Sequence, residues 1–338
     1  MVKKLITSIG ISAFIFFGLA IGLIFSQDLM DLSELEDVSG GKGLDFESQT
    51  GAPEDLPPRM KYSARDGTQL DYRYYESSTP TEKLLVLVHG SGWHSQQFVR
   101  MAKFIADQGV AHVVTPDLRG HGYTPVKRGD ISYIGQFEDD LADLIESFKK
   151  THPTKTVILG GHSSGGGLVV RFAGGDHSAM VDAYLLMAPF LKYNAPTTRE
   201  NSGGWARPLT RRIIGLSLLN SVGIKILNGL PVIQFNMPAM IRNGPLGETA
   251  TLNYSYRLNT AYAPRSDFEA DLAALTQPFF LLAGSADEAF FADKYEEVIS
   301  AQTSSGLYEI LPGLSHLQIV QDEAAHYLIA DWIEQLKS

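Results

Sequence analysis

Short apolar runs alternate along the chain with longer segments in which apolar residues recur every three or four positions. The runs predict buried strands at 84–88, 110–114, 156–159, 183–187, 279–282 and 307–311. A polar–apolar alternation at 70–74 is typical of a half-buried antiparallel strand. Helical spacing predicts helices at 96–107, 135–149 and 323–337. Strands that alternate with helices predict an α/β fold with a doubly wound, mostly parallel sheet, and such sheets place functional residues on loops at the carboxyl ends of strands.

The alternation stops between about 190 and 257, which predicts a helical cap inserted into a main domain at 59–338. This segment contains eight basic and two acidic residues, whereas the whole chain carries a net charge of −10. A basic, apolar cap could steer anionic substrates or rest on an anionic membrane surface. Alternatively, its basic residues pair with acids of the main domain.

The N-terminus predicts a membrane anchor at 1–25. Lys3 and Lys4 precede 21 uncharged, largely apolar residues, a length that can span a bilayer. Acidic residues follow, so the lysines predict a main domain outside the cytoplasm, on the periplasmic or extracellular side. A cleaved signal peptide and a secreted protein are the alternative, but the apolar run continues past the small residues at 20–22 to Phe25. Polar, acidic residues 26–58 then predict a flexible tether.

Composition excludes several classes of function. The absence of cysteine from the 338 residues excludes disulfides and a thiol nucleophile. The negative net charge argues against a nucleic-acid partner. No metal-ligand spacing is present, so neither a metal nor another cofactor is expected.

A candidate nucleophile follows the apolar run at 156–159. Gly161-His-Ser-Ser-Gly165 fits the G-x-S-x-G pattern, in which a serine occupies a strained turn between a strand and a helix. Glycines on either side let the backbone pass closely. The helix N-terminus would direct its free N–H groups at charge that develops beside Ser163.

The residues that such a serine needs are also present. Asp287 follows the run at 279–282, and His316 follows the run at 307–311. The order Ser163, Asp287, His316 is that of α/β-hydrolases, although Glu288 is adjacent and could instead be the acid. A further glycine segment contains Ser91, and the backbone N–H groups of Ser91 and Ser164 are the predicted oxyanion donors.

Two residues after Ser91 are weaker candidates. Trp93 and His94 would either line a substrate pocket or simply pack within the loop.

From about residue 60 to its end, the chain resembles the branch of α/β-hydrolases that contains monoacylglycerol lipases, lysophospholipases and serine aminopeptidases. The matching segments are Val88-His-Gly-Ser91, Pro116-Asp-Leu-Arg-Gly-His-Gly122, Gly161-His-Ser-Ser-Gly165, Gly284-Ser-Ala-Asp287 and Gly313-Leu-Ser-His316. The spacing in this family favours Asp287 over Glu288 as the acid. The chain departs from the family where Tyr123-Thr-Pro follows the His-Gly pair.

We therefore expect a serine hydrolase that cleaves carboxylic esters through an acyl-enzyme. The predicted anchor and the apolar cap favour lipid-like esters, of the monoacylglycerol or lysophospholipid type. An aminopeptidase, a thioesterase or an acyltransferase could use the same residues, and a non-catalytic binding protein of this fold is a further alternative.

Overall fold

An eight-stranded sheet forms the centre of the computed structural model, which describes residues 2–31, 34, 43–46 and 56–336. Its strands lie in the order β1-β2-β4-β3-β5-β6-β10-β11. They are β1 (Arg59–Ser63), β2 (Gln69–Tyr75), β3 (Lys83–Val88), β4 (His112–Pro116), β5 (Thr156–His162), β6 (Ala183–Met187), β10 (Phe279–Gly284) and β11 (Gly306–Leu311). Strands β4, β3, β5, β6, β10 and β11 pair in parallel with their neighbours in this order, whereas β2 pairs antiparallel with both β1 and β4. The predicted, mostly parallel sheet is confirmed.

Helices cover both faces of this sheet. The main-domain helices are α2 (Val99–Asp107), α3 (Gln136–Lys149), α4 (Ser164–Ala173), α8 (Phe268–Ala273), α9 (Tyr295–Ser300) and α10 (Glu323–Gln335). Side chains of β3 alternate between the two faces. Leu84 and Val86 pack on the side of α3 and α4, whereas Leu85 packs on the side of α2 and α10. Burial on both faces explains why these strands are apolar throughout.

The two outer strands differ from the predictions. β11 was expected to be buried, but it is an edge strand whose Leu307 is 58% exposed. β1, at the opposite edge, was not predicted because its sequence, RMKYS, is largely polar and its side chains are mostly exposed. The apolar pattern therefore identified β11 as a strand but not as an edge strand, and it missed β1, because an edge strand lacks a neighbour on one side and need not be apolar.

The segment at 190–257 contains helices, as predicted for the cap, and also a second sheet, which the prediction of a helical cap did not include. Strands β7 (Ala206–Pro208), β8 (Pro231–Phe235) and β9 (Asn253–Ser255) form a three-stranded antiparallel sheet. The helices are α5 (Thr210–Ser221) and α6 (Ala239–Arg242), and α7 (Tyr256–Ala261) leads back to the main domain. Short apolar runs do not distinguish strand from helix by periodicity alone.

The N-terminal helix α1 (Val2–Phe25) packs against α5 of this cap. Ala20 and Ile24 are completely buried there with Leu216 and Leu219. Gly215 allows the close approach, because a Cβ at this position would lie 2.6 Å from the Ala20 carbonyl oxygen.

Two basic residues of the cap bind the C-terminal end of α1. The Arg212 guanidinium donates to the carbonyl of Ile24 at 2.9 Å, donates to the carbonyl of Gln27, and pairs with the Asp28 carboxylate at 2.9 Å. Arg211 donates to the Ser26 carbonyl at 2.8 Å. These contacts place positive charge where a helix dipole is negative. Both guanidinium groups therefore bind the end of the N-terminal segment, where Arg212 is buried and Arg211 stays exposed.

The predicted transmembrane helix is not supported. Across the described parts of the chain, no helix combines the length and apolarity that crossing a membrane requires.

The predicted tether lies partly outside the described residues, at 32–33, 35–42 and 47–55. Its described part at 43–46 differs from a solvated linker, because Leu44 and Phe46 are buried in the main core.

Candidate active site

Ser163 lies in a sharp turn between β5 and α4. Its backbone has φ 56° and ψ −121°, a region that residues other than glycine rarely adopt. A Cβ at Gly161 would overlap the backbone of Gly165, and one at Gly165 would overlap the carbonyl of Val88. A side chain at Gly161 or Gly165 would therefore clash with the backbone, so both positions require glycine. The turn places Ser163 at the end of the sheet.

Asp287 and His316 lie together on the loops after β10 and β11. The Asp287 Oδ2 atom is 2.8 Å from Nδ1 of His316, and both side chains are buried. Oδ1 of Asp287 accepts hydrogen bonds from the backbone N–H groups of Ala289 and Phe290, at 2.7 and 2.8 Å. Because the Nδ1–H group donates a hydrogen bond to the carboxylate, Nε2 is left as the basic atom of the ring.

Nε2 of His316 has no hydrogen-bond partner among the described residues. His316 and Ser163 line the same cavity, together with Gly90 and Ser91. An unpaired, buried ring nitrogen beside a serine can accept the hydroxyl proton when a substrate enters.

Glu288 has a different set of partners from Asp287. One of its oxygens accepts from the backbone N–H of His316 at 2.9 Å, and the other accepts from the backbone N–H of Asp45 at 2.9 Å. The structure therefore brings Asp287 to the imidazole and Glu288 to the backbone of the histidine loop.

Hydrogen bonds to several distant segments hold the loop after β3. Gly90 N–H donates to Gln97 Oε1 at 2.7 Å, and Gly92 N–H donates to the Tyr254 hydroxyl at 2.6 Å. Ser91 accepts through its side chain from Trp205 Nε1 at 2.9 Å. This loop forms one wall of the cavity.

Ser164 lies on the other side of Ser163, at the start of α4. Since it is the first residue of the helix, its N–H has no acceptor within that helix.

Of the two weaker candidates, only Trp93 lines the cavity. His94 is buried elsewhere in the loop, where its Nδ1 accepts from Gln96 N–H and its Nε2 lies 2.9 Å from Thr249 Oγ1. Burial lowers the pKa of His94 to about 4, so the ring is neutral near pH 7. The structure gives His94 the position of a loop-packing residue.

Sequence reasoning gave no role to His162 and Gln97, which form a chain of hydrogen bonds to the loop that carries His316. His162 Nε2 donates to the backbone carbonyl of His316 at 2.9 Å, and its Nδ1 accepts from Gln97 Nε2 at 2.8 Å. Burial, together with the charge of His316, keeps the pKa of His162 well below its usual range. The position of His162 beside Ser163 was a signal, but its partner is 154 residues away in the chain.

Leu44 and Phe46 were also missed. Both line the cavity with Ser163, Trp93 and Leu317. The space among these side chains is small, about 10 Å³, or room for about one water molecule.

A doubly wound sheet with a serine at a strand–helix elbow and a histidine–aspartate pair on later loops defines a serine ester hydrolase of the α/β-hydrolase class. The family described as serine aminopeptidase, S33, matches residues 79–323, and the chain belongs to this family. The expected resemblance to the branch that includes monoacylglycerol lipases is confirmed, as is the prediction of an enzyme.

Among its relatives, human monoglyceride lipase is 28% identical over 238 residues, which cover 69% of this chain and 74% of the human protein. The structure of monoacylglycerol lipase from Paleococcus ferrophilus aligns with a TM-score of 0.59 at 20% identity, over 79% of this chain and 99% of that one. A membrane phospholipase A aligns with a TM-score of 0.57 at 18% identity, over 99% of this chain and 97% of its own. At these identities, the two structures show a shared fold.

Proposed function

We propose that Ser163, His316 and Asp287 form a catalytic triad that hydrolyses lipid-like carboxylic esters. The proposal is carried by the hydrogen bond between Asp287 and His316, which leaves Nε2 unpaired at the cavity that Ser163 lines. His316 accepts the hydroxyl proton as Ser163 attacks the ester carbonyl, and then gives it to the leaving alcohol. Asp287 holds the ring and stabilises the imidazolium.

The acyl-enzyme that results is cleaved by water. His316 takes a proton from the water while the resulting hydroxide attacks the acyl carbon, and His316 then returns that proton to the Ser163 oxygen as the carboxylic acid leaves. In both steps, the N–H groups of Ser91 and Ser164 would bind the negatively charged oxygen of the tetrahedral intermediate. Loss of one such donor typically costs about 2.7–4 kcal/mol of transition-state stabilisation.

The chemistry of the cavity supports a monoacylglycerol or lysophospholipid as substrate. Leu44, Phe46, Trp93 and Leu317 offer an apolar surface beside Ser163, as an acyl chain requires. The names of the relatives agree with this class, because they include monoglyceride lipases and a membrane phospholipase A.

An aminopeptidase fits the cavity less well. Recognition of a free amino terminus needs an anionic or carbonyl-rich subsite. Among the described residues that line the cavity, none carries a carboxylate.

The test is to label the full chain, in detergent, with a fluorophosphonate and to measure hydrolysis of p-nitrophenyl esters. Ser163→Ala should abolish labelling and lower kcat by at least about 10³-fold, because removal of a triad member leaves only the contribution of binding and the oxyanion hole. Ser164→Ala is the matched control, since its backbone N–H is kept and most activity should remain. Equal labelling of the wild type and Ser163→Ala would remove the proposal.

The location of the protein stays a prediction from the charges that flank residues 5–25. We expect a main domain outside the cytoplasm and a retained N-terminal segment, with intact mass as the measurement. A mature chain that begins near residue 23 would instead support the secreted alternative.

A further inference from the structure

The N-terminal segment reaches the candidate active site through Leu44 and Phe46. The Phe46 ring meets the Trp93 ring edge to face, with centroids 5.8 Å apart, and lies 5.3 Å from the ring of Trp205. Phe46 is only 4% exposed. It therefore lies between the loop after β3, which contributes Trp93, and the cap, which contributes Trp205.

The same segment is tied to the catalytic histidine loop. Asp45 N–H donates to one oxygen of Glu288, and His316 N–H donates to the other. This bridge fixes residue 45 relative to His316, so the side chains on either side of it are held at the cavity. The position of Phe46 is thus set by hydrogen bonding as well as by packing.

We propose that Leu44 and Phe46 are specificity-determining residues that form one wall of the acyl site and limit the length of the apolar chain that fits beside Ser163. The proposal rests on the proposed function and adds the part of the chain that selects among esters. The cavity has room for about one water molecule, so the side chains that line it set the space available to an acyl chain. Phe46 is the largest side chain that reaches the cavity from outside the main domain and the cap.

A smaller residue at 46 should favour longer chains. Each methylene that gains an apolar contact is expected to raise kcat/KM about fourfold. For Phe46→Ala we expect the ratio of kcat/KM for p-nitrophenyl decanoate over butyrate to rise at least about tenfold. Leu44→Ala should shift the ratio in the same direction and by less.

Phe104→Ala is the matched control. Phe104 packs on α2 against Tyr327 and His326, remote from the cavity lining. Its loss removes the same ring from a partly buried site and should leave the chain-length ratio unchanged. Phe46→Leu provides a milder variant that keeps an apolar side chain, and circular dichroism checks that each variant is folded.

A binding measurement separates this proposal from the proposed function. Monoalkyl glycerol ethers of increasing chain length cannot be hydrolysed, and their binding to the full chain can be followed by tryptophan fluorescence. We expect the wild type to bind these ethers with a chain-length preference, and we expect Phe46→Ala to alter that preference. This result would support the proposed role of Phe46 even if fluorophosphonate labelling fails. An unchanged preference in Phe46→Ala and Phe46→Leu, both folded and both labelled, would overturn it.

Discussion

At the scale of single residues, two adjacent carboxylates have separate tasks. Asp287 bonds the imidazole of His316, whereas Glu288 bonds the backbone of His316 and of Asp45. Asp287→Asn should lower kcat by about 10³- to 10⁴-fold, because the amide favours the wrong tautomer of the histidine. Glu288→Gln should lower it by no more than about tenfold, since one of its two acceptor contacts survives. Steady-state kinetics on a short ester would measure both, and the reverse order would assign the acid to Glu288.

The residues that the sequence predicts are those with a local signature. Ser163 follows from its glycines, and Asp287 and His316 follow from their place after apolar runs. Leu44, Phe46 and Gln97 have no such signature, because their role depends on contacts with distant segments. The sequence left open whether His94 lines a pocket or packs within the loop, and the structure shows it packed within the loop, outside the cavity lining.

At the scale of elements, the close contact between α1 and α5 requires glycine at position 215. Gly215→Ala would place a methyl group 2.6 Å from the Ala20 carbonyl oxygen. Overpacking of this kind costs about 1–3 kcal/mol, so we expect amide hydrogen exchange in residues 19–28 to accelerate about 5- to 150-fold.

Gly22→Ala is the control for this exchange experiment. No described atom lies within 4 Å of its added Cβ, and alanine is the better helix former. Exchange in Gly22→Ala should therefore be unchanged or slower. Equal acceleration in both variants would show that the α1–α5 contact is not what protects this helix.

Also at the scale of elements, burial explains how well the hydrophobic pattern of the sequence described each strand. The strands at the centre of the sheet were predicted because both of their faces are buried and their sequences are apolar. β1, β11 and the cap strands β7 to β9 have mixed burial. Their position is decided by pairing with other segments, which a local pattern does not record.

At the scale of the whole molecule, buried histidines link stability to pH. Burial lowers the pKa of both His89 and His94 to about 4 and keeps that of His121 well below its usual range. Below pH 6.5 the unfolded chain binds protons that the folded chain does not, so the free energy of unfolding falls as the pH decreases from about 6.5 to 4. For one such group the loss approaches roughly 3 kcal/mol.

Urea unfolding across this range would measure the effect. His94→Gln should flatten the loss of stability with falling pH, because glutamine does not titrate. A slope that His94→Gln leaves untouched would place the pH dependence in other groups.

The burial of Leu44 and Phe46 also bears on drug discovery. A recombinant fragment started at Arg59, the first residue of β1, would retain every proposed catalytic residue and react with the same covalent probes. It would lack two residues that line the cavity beside Ser163. Compounds that fill the space of the Phe46 side chain would rank as the most potent inhibitors of that fragment. Phe46 occupies this space in the full chain, so the same compounds would bind the full chain more weakly and the ranking would not apply to it.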